Sequence, residues 1–360
     1  MNPSELPPVD VSAPMKIDDK QSLWARKWLI GVAVGVFLMI MMVVYVISSL
    51  RPVDTSNTSN VRFVVASGET AAEIAQSLHD ADLIRDPFVF QLYTQLTGTK
   101  SQLQAGGYVL QRSLSVSDIV EHISSGKTDD VVVTILPGLT LEQLADPEVE
   151  GSLAQQGYST KEINDAYAAN YQSNVFAGRP VGASLEGYIY PETHQTTASS
   201  SLQSVLQLSF DEFYFQIQKR GIEAKLQQQG LSLRDGIILA SIVQKEVSNV
   251  EDQKQVAQVF TKRLKEGIVL GSDVTFMYIA EKEGREPSVN DDSLYNTRKH
   301  GGLPPGPISN FNISALEAVA NPAPGDYLYF VAGDDGTTHF GRTEAEHEAN
   351  VAKYCTVLCQ

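Results

Sequence analysis

One glutamate in this sequence lies where a helix predicts an apolar side chain. The segment from Ser232 to Val247 reads SLRDGIILASIVQKEV, and Ser232 with Asp235 matches a capping box that fixes where the helix begins. At about 100° per residue, Glu246 falls on the apolar arc of this helix. That arc contains Leu239, Ile242 and Val243. A carboxylate held out of water either pairs with a cation or keeps its proton, and a kept proton makes a general acid.

The position of Glu246 therefore has two interpretations. Considered alone, the helix favours an ion pair, and Arg263 near the end of the next predicted helix is the nearest candidate partner. Asp273 and Thr275 begin a further predicted helix, where capping is the default explanation of such residues. The surrounding segments must decide between an ion pair and catalysis.

Two irregular segments combine aromatic residues, glycine and proline. Residues 186–193, EGYIYPET, place Glu186, Tyr188 and Tyr190 near a proline without helical periodicity. Residues 295–309, YNTRKHGGLPPGPIS, predict a rigid exposed loop that could line a cleft. Aromatic rings beside carboxylates suit sugars, because the C–H face of a sugar stacks on the ring while its hydroxyls form hydrogen bonds. A packed loop explains the EGYIYPET pattern nearly as well.

An uncharged apolar run from Trp28 to Ile47 is long enough to cross a bilayer, which takes about 20 residues. Basic residues precede the run at Lys16, Lys20, Arg26 and Lys27. The positive-inside rule then predicts a cytoplasmic tail of residues 1–27, a polar linker of residues 48–60, and an extracytoplasmic remainder. A cleaved signal peptide is the alternative, but the run is longer than the usual apolar core and no clear A-x-A site follows it.

Charge and composition exclude several kinds of partner. The net charge of −16 argues against nucleic acid, because binding a polyanion requires a basic face. The histidines show no metal-ligand spacing, so neither a metal nor another cofactor is expected. Cys355 and Cys359 are four residues apart, which is poor disulfide geometry on a regular helix, and we expect two free or late-paired thiols.

The segments after the linker divide into two predicted domains of mixed helix and strand, which gives an α+β fold class. A strand, a glycine turn and a capped helix occur around Thr70 and again around Thr140. The first of these units, SGETAAEIAQSL, resembles the opening of a LysM-type module, and such modules bind N-acetyl sugars of peptidoglycan and chitin. We therefore expect a small LysM-like α+β domain over residues 61–126 and a larger catalytic α+β domain over residues 127–360.

The larger segment resembles the endolytic murein transglycosylase family, also called YceG-like proteins. The matching blocks, in order along the chain, are EGYIYPET at 186, ASIVQKE at 240, SDVT at 272, YNT at 295, GLPPGPI at 302, NPA at 321 and YLYFV at 327. The family also has an N-terminal anchor and a LysM-like region, so the resemblance extends over nearly all of the chain. Two positions depart from the family pattern: Gln244 stands where glutamate is frequent, and Val274 stands where proline is usual.

The resemblance implies that Glu246 is the catalytic residue and that the substrate is the glycan strand of peptidoglycan. A lytic transglycosylase can use one carboxylate, first as an acid and then as a base, to leave a 1,6-anhydro-N-acetylmuramic acid end. The predicted sugar-binding residues are drawn from the loops and helix start described above: Glu186, Tyr188, Tyr190, Asp273, Thr275, Asn296, Leu303, Pro304 and Pro305. The resemblance also suggests peptidoglycan synthase complexes as partners and termination of nascent strands as the role.

Two alternatives stay open from the sequence. One is a muramidase in which a second carboxylate, from Glu186, Glu192 or Asp273, activates water. The other is a non-catalytic scaffold that binds peptidoglycan, in which Glu246 belongs to a salt bridge.

Overall fold

The computed structural model describes residues 19–357, so the predicted tail up to residue 18 and Cys359 lie outside the described residues. The helices of the first part are α1 (Asp19–Leu50), α2 (Ala71–Asp80), α3 (Pro87–Thr97) and α4 (Val116–Ser125). Further helices are α5 (Leu141–Ala145), α6 (Thr160–Ala168), α7 (Leu202–Lys219), α8 (Ile222–Gln229), α9 (Leu233–Glu246), α10 (Val250–Glu266), α11 (Asp273–Lys282), α12 (Ile313–Ala320) and α13 (Glu344–Tyr354).

The strands are β1 (Asn60–Val65), β2 (Gly106–Gln111), β3 (Asp130–Thr134), β4 (Thr193–Thr197), β5 (Tyr329–Ala332) and β6 (Thr338–Gly341). Among the described residues they form separate two-stranded sheets, β1 with β2, β3 with β4, and β5 with β6. The mixture of helices and small sheets confirms the predicted α+β class.

The chain divides into two compact units. The small unit contains the residues up to 59 together with 67–104 and 110–126, and the large unit contains 60–66, 105–109 and the chain from 127 onwards. The chain passes from the small to the large unit after Gly126, which ends α4 in the left-handed conformation.

The small unit begins with the long helix α1. Within it, Lys27–Leu50 is the one helical stretch of the described chain that is long and apolar enough to cross a membrane. The predicted linker that follows is partly tied down, since Arg85 donates hydrogen bonds to the carbonyls of Pro52 and Val53. The capping box of Thr70 and Glu73 starts α2 as predicted.

The large unit is organised around α9. Every residue from Gly236 to Val243 is buried, because α8, α10, α11 and α12 all pack against this helix. Gly236 permits the approach of α8, since a Cβ atom there would lie 2.6 Å from the side chain of Leu226. The predicted capping box of Ser232 and Asp235 starts the helix. The helix ends at Glu246, where Val247 turns to an extended conformation.

The C-terminal part of the large unit is a hairpin and a helix. Strands β5 and β6 pair antiparallel with Tyr329 opposite Gly341, and α13 packs against both. The expectation of free thiols is wrong for Cys355, which is disulfide-bonded. The geometric objection does not apply, because α13 ends at Tyr354 and Cys355 lies beyond the regular helix.

Candidate active site

Glu246 is the last residue of α9, and its half-buried side chain lines a cleft of about 890 Å³. Leu239, Ile242 and Val243 are fully buried, as the helical phase predicts. The helical phase alone does not distinguish the apolar arc from the other faces, because α9 is buried on all sides up to Val243. Glu246 reaches the cleft because the helix stops there, so its carboxyl lies between the protein interior and a space open to substrate.

Arg263 does not neutralise Glu246. Its guanidinium donates to the carbonyl oxygens of Leu328 and Leu270, each at 2.6 Å, and lies over the ring of Tyr329, with 5.2 Å between the guanidinium carbon and the ring centroid. Throughout residues 27–357, no lysine, arginine or histidine forms an ion pair with Glu246 within 4.0 Å. The donors of Arg263 thus tie the loop before α11 to the β5–β6 hairpin, and the ion-pair interpretation of Glu246 fails on geometry.

The surroundings favour a protonated Glu246. Burial raises the pKa of this carboxyl above its ordinary value, and the charge of Asp273 raises it further. The hydroxyl of Ser272 and the more distant guanidiniums of Arg298 and Arg263 act in the opposite direction and only partly offset the rise in pKa. The C-terminal end of α9 also disfavours a negative charge, because the helix dipole is negative there.

Ser272 is the direct partner of Glu246. Its hydroxyl donates a hydrogen bond of 2.5 Å to the Oε1 atom of Glu246, across 26 residues of sequence. Ser272 is itself buried, and two threonines fix its backbone. The Oγ1 of Thr297 accepts from the Ser272 amide at 3.1 Å, and the Oγ1 of Thr275 donates to the Ser272 carbonyl at 2.7 Å. The orientation of the Ser272 hydroxyl is thus set by a buried network.

Asp273 follows Ser272 and lines the same cleft. It forms an ion pair with Arg298, and both side chains are about half exposed. Asn296 turns the chain before Arg298: its amide nitrogen donates to the carbonyls of Val289 and Asp291, and its Oδ1 accepts from the Arg298 amide. Asn296 therefore positions Arg298 from within the protein rather than facing a ligand.

Glu186, Tyr188 and Tyr190 do not form an exposed sugar-binding wall. All three are buried, with no more than 6% of each residue exposed. The ring of Tyr188 packs on Phe176, and that of Tyr190 stacks on Phe213. These rings belong to the hydrophobic core of the large unit, which corrects the expectation from the EGYIYPET pattern.

The Glu186 carboxylate is held by hydrogen bonds inside the large unit. It accepts hydrogen bonds of 3.3 Å from the Leu141 amide and from the Tyr278 hydroxyl. Burial raises its pKa to about 7, although these donors and the charge of Lys282 oppose the rise. Glu186 thus joins a loop to α5 and α11 in the interior.

The remaining predicted sugar-binding residues are also displaced from the cleft. Thr275 and Pro304 are buried, and Leu303 packs against the core. Pro305 is exposed, but its carbonyl accepts a hydrogen bond from Arg234 and it does not line the cleft. Of the predicted set, only Asp273 lines the cleft together with Glu246.

The cleft walls come largely from segments that sequence reasoning did not connect with Glu246. They are the loop of residues 268–271, the strand β5, and the face of α13 that carries Glu344, His347 and Glu348. His347 stacks on Tyr329 with 5.3 Å between ring centroids, and burial together with Arg263 lowers its pKa. The YLYFV block at 327 was the available signal, since it matched the family pattern but had no chemical explanation.

The chain is similar to a known protein family and to several of its members. The YceG-like family matches residues 63–353 of the chain. Two proteins named endolytic murein transglycosylase, from two strains of Streptococcus pneumoniae, are 29% identical over 344 residues, which cover 86% of this chain. This chain spans 61% of the length of those two relatives. A protein of the same name from Bacillus subtilis is 28% identical, covering 85% of this chain and 88% of its own length.

A solved structure is also similar. The crystal structure of a YceG-like protein from Listeria monocytogenes has a TM-score of 0.52 and 28% sequence identity to this chain. The similarity covers 81% of this chain and 98% of that one.

Proposed function

Since this chain belongs to the YceG-like family, we propose that it is a membrane-anchored endolytic lytic transglycosylase that cleaves the glycan strands of peptidoglycan. The observation that carries the proposal is the state of Glu246. It opens on the cleft, has no cationic partner among the described residues, and has a raised pKa. These are the properties expected of a carboxyl group that holds its proton more firmly than an exposed glutamate and delivers it to a bound substrate.

In the proposed reaction Glu246 acts twice. As an acid, it gives its proton to the oxygen between N-acetylmuramic acid and N-acetylglucosamine, and the bond from that oxygen to C1 breaks. As a carboxylate, it then takes the proton of the C6 hydroxyl while the C6 oxygen forms a bond to C1. The product carries a 1,6-anhydro ring, no water is consumed, and Glu246 regains its proton.

Ser272 suits both states of the acid. A hydroxyl can donate to the carboxylate and can accept from the protonated form, so the same side chain can hold Glu246 in place through the cycle. We propose Ser272 as a positioning residue, because it contacts the acid and its own backbone is held by Thr275 and Thr297.

The hydrolase alternative needs a second carboxylate close to Glu246. Glu186 is unsuited because it is buried and hydrogen-bonded elsewhere, and Glu192 does not line the cleft. Asp273 is the remaining member of the proposed set, and its ion pair with Arg298 argues for a structural role. The scaffold alternative loses support because no salt bridge to Glu246 is formed within residues 27–357.

A digest of purified peptidoglycan by the full chain in detergent tests the proposal. We expect glycan fragments with 1,6-anhydro ends, and we expect Glu246→Gln to lower the rate by at least the roughly 10²- to 10⁴-fold that general acid–base catalysis supplies. The matched control is Glu192→Gln, which removes an exposed carboxylate outside the cleft and should keep activity. Reducing ends would support the hydrolase, and intact strands would support the scaffold. Retained cleavage by Glu246→Gln would overturn the assignment.

Membrane topology and partners complete the proposal. The apolar helix Lys27–Leu50 fits a single-pass anchor, and the basic residues before it favour a cytoplasmic N-terminus. A helix of this kind near the N-terminus can also be a signal sequence, so the N-terminus of the mature protein should be read by mass spectrometry. We further propose glycan binding by the LysM-like segment 61–126 and an association with peptidoglycan synthase complexes, through which the enzyme would terminate nascent strands.

A further inference from the structure

Helix α3 of the small unit has an unusual exposed face. Its sequence, PFVFQLYTQLT, contains no charged residue. Phe88 is 65% exposed and Leu96 is 78% exposed. Leu92 lies between them at helical spacing and is partly exposed, so the three side chains share one stripe. Phe90 and Thr94 are buried on the opposite side of the helix, and Val89 is buried at the edge of the stripe. A surface helix normally shows charged residues on its outer face, and this one shows an apolar stripe.

The start of α3 is tied to the outer end of the apolar helix. The hydroxyl of Tyr45 donates a hydrogen bond of 2.5 Å to Oδ2 of Asp86, the residue that caps α3. The other carboxylate oxygen of Asp86 accepts from the Val89 amide at 2.9 Å. One side chain therefore joins α1 to the first turn of α3. Arg85 adds a second tie by binding the carbonyls of Pro52 and Val53, just beyond the apolar helix.

The position of Tyr45 in the apolar run indicates its depth in a bilayer that α1 would span. Trp28 and Tyr45 lie near the two ends of the apolar run and are about 26 Å apart along a helix, which is close to the thickness of the hydrocarbon core. Tryptophan and tyrosine at such positions occupy the two membrane–water interfaces. With α1 spanning the membrane, Tyr45 lies at the outer interface, and Asp86 brings the first turn of α3 to the same level.

We propose that α3 is an interfacial helix whose Phe88, Leu92 and Leu96 stripe lies in the outer surface of the bilayer that α1 spans. The inference rests on the proposed membrane anchor and is independent of catalysis. Its partner is the lipid boundary itself, because the two ties hold the helix there and because an uncharged apolar stripe gains free energy from the acyl region but not from water. A fixed interfacial helix would set the height of the small unit above the membrane.

Spin labels on the full chain test this placement. Cys355 and Cys359 are first replaced by serine, and single cysteines are then introduced as Phe88→Cys, Gln95→Cys and Leu96→Cys for a nitroxide label. Gln95 is exposed beside the stripe and serves as a second position if a substitution in the stripe impairs folding. The matched control is Glu121→Cys, at an exposed position of α4 in the same unit. The chain is reconstituted at low density in vesicles of phosphatidylcholine and phosphatidylglycerol in equal parts.

The collision rates of each label with oxygen and with a water-soluble nickel chelate give its depth. We expect the labels on α3 to lie about 5–10 Å below the headgroup surface and the label on Glu121→Cys to be fully accessible to nickel. Labels on α3 that are as accessible to nickel as the control would overturn the proposal.

A further label at Val36→Cys, in the middle of the apolar run, tests the membrane anchor separately from the interfacial helix. If that label is in lipid while the α3 labels are in water, the interfacial helix fails and the anchor stands. If that label is in water, the anchor itself fails and the inference falls with it.

Discussion

The hydrogen bond from Ser272 to Glu246 offers the sharpest test of how the acid is tuned. Ser272→Ala removes a hydroxyl that donates to the carboxylate oxygen and leaves the buried backbone network of Thr275 and Thr297 intact. The change is small in volume, so we expect little loss of packing. The hydroxyl stabilises the ionised form, and its removal raises the pKa of Glu246 further.

The size of the effect follows from the energy of the bond. A hydrogen bond to a charged group contributes about 1.5–3 kcal/mol, and each factor of ten in an acid dissociation constant corresponds to about 1.4 kcal/mol. Because the first step needs a protonated Glu246, activity is lost as the pH rises through the pKa of this group. We therefore expect the alkaline limb of the pH–rate profile to move upwards by about one to two pH units in Ser272→Ala. The maximal rate should fall by roughly 10- to 100-fold, since the acid is less well held.

The assay is the release of anhydro-ended fragments from purified peptidoglycan by the full chain from about pH 5 to about 10, with folding of each variant checked at every pH by circular dichroism. The matched control is Ser241→Ala on α9. That hydroxyl is also buried, but it donates to the carbonyl of Ile238 and accepts from the amide of Ile308, with no contact to Glu246. Ser241→Ala should lower the stability of the fold without shifting the alkaline limb of the pH–rate profile. A Ser272→Ala profile that falls in height while its alkaline midpoint stays fixed would refute the role of Ser272 in setting the proton affinity of Glu246.

Two further predictions concern the stability of the large unit. The pKa of Glu186 is raised to about 7 in the folded chain from an ordinary value of 4.5, so the folded state binds the proton more tightly and stability falls as the pH rises between those values. Glu186→Gln should remove about 3 kcal/mol of this pH dependence, measured by denaturant unfolding of the full chain in detergent, and identical pH dependence in both proteins would contradict the burial argument. Gly187→Ala should lower the melting temperature more than Gly182→Ala. Both glycines have a left-handed φ near +77°, so alanine strains the backbone equally at both positions. A Cβ atom at Gly187 would also lie 2.3 Å from Pro307, whereas a Cβ atom at Gly182 would have no neighbour within 4 Å. Equal melting temperatures would show that Pro307 moves aside freely.

Local features of this fold were predictable from the sequence, because neighbouring residues determine them. The capping boxes at Thr70, Thr140 and Ser232 form as expected, since each needs only residues three apart. Ser248 and Glu251 also match a capping box in the sequence, but Asn249 caps α10 instead. Adjacent cap formers compete for the same amides, and the pattern alone does not rank them.

Contacts between distant segments were not predictable in the same way. Tyr188 and Tyr190 are aromatic residues in an irregular segment, and nothing local indicates whether such rings face solvent or the core. Burial against Phe176 and Phe213 depends on α7 and on loops far along the chain. The failure of the Arg263 ion pair has the same origin, since its preferred partners are carbonyls of the β5–β6 hairpin and of the loop before α11.

The serine and threonine residues of two family-like blocks have a joint explanation in the structure. Ser272 and Thr275 come from the SDVT block, and Thr297 comes from the YNT block, yet the hydroxyls of the two threonines lie 3.0 Å apart and both reach the backbone of Ser272. Neither threonine lines the cleft, so a direct contact with sugar cannot account for them. What they do together is fix the Ser272 hydroxyl that donates to Glu246. Exchange of either threonine for valine keeps the shape but removes a hydrogen bond to Ser272, so both blocks are better understood as the support of the acid than as a binding surface.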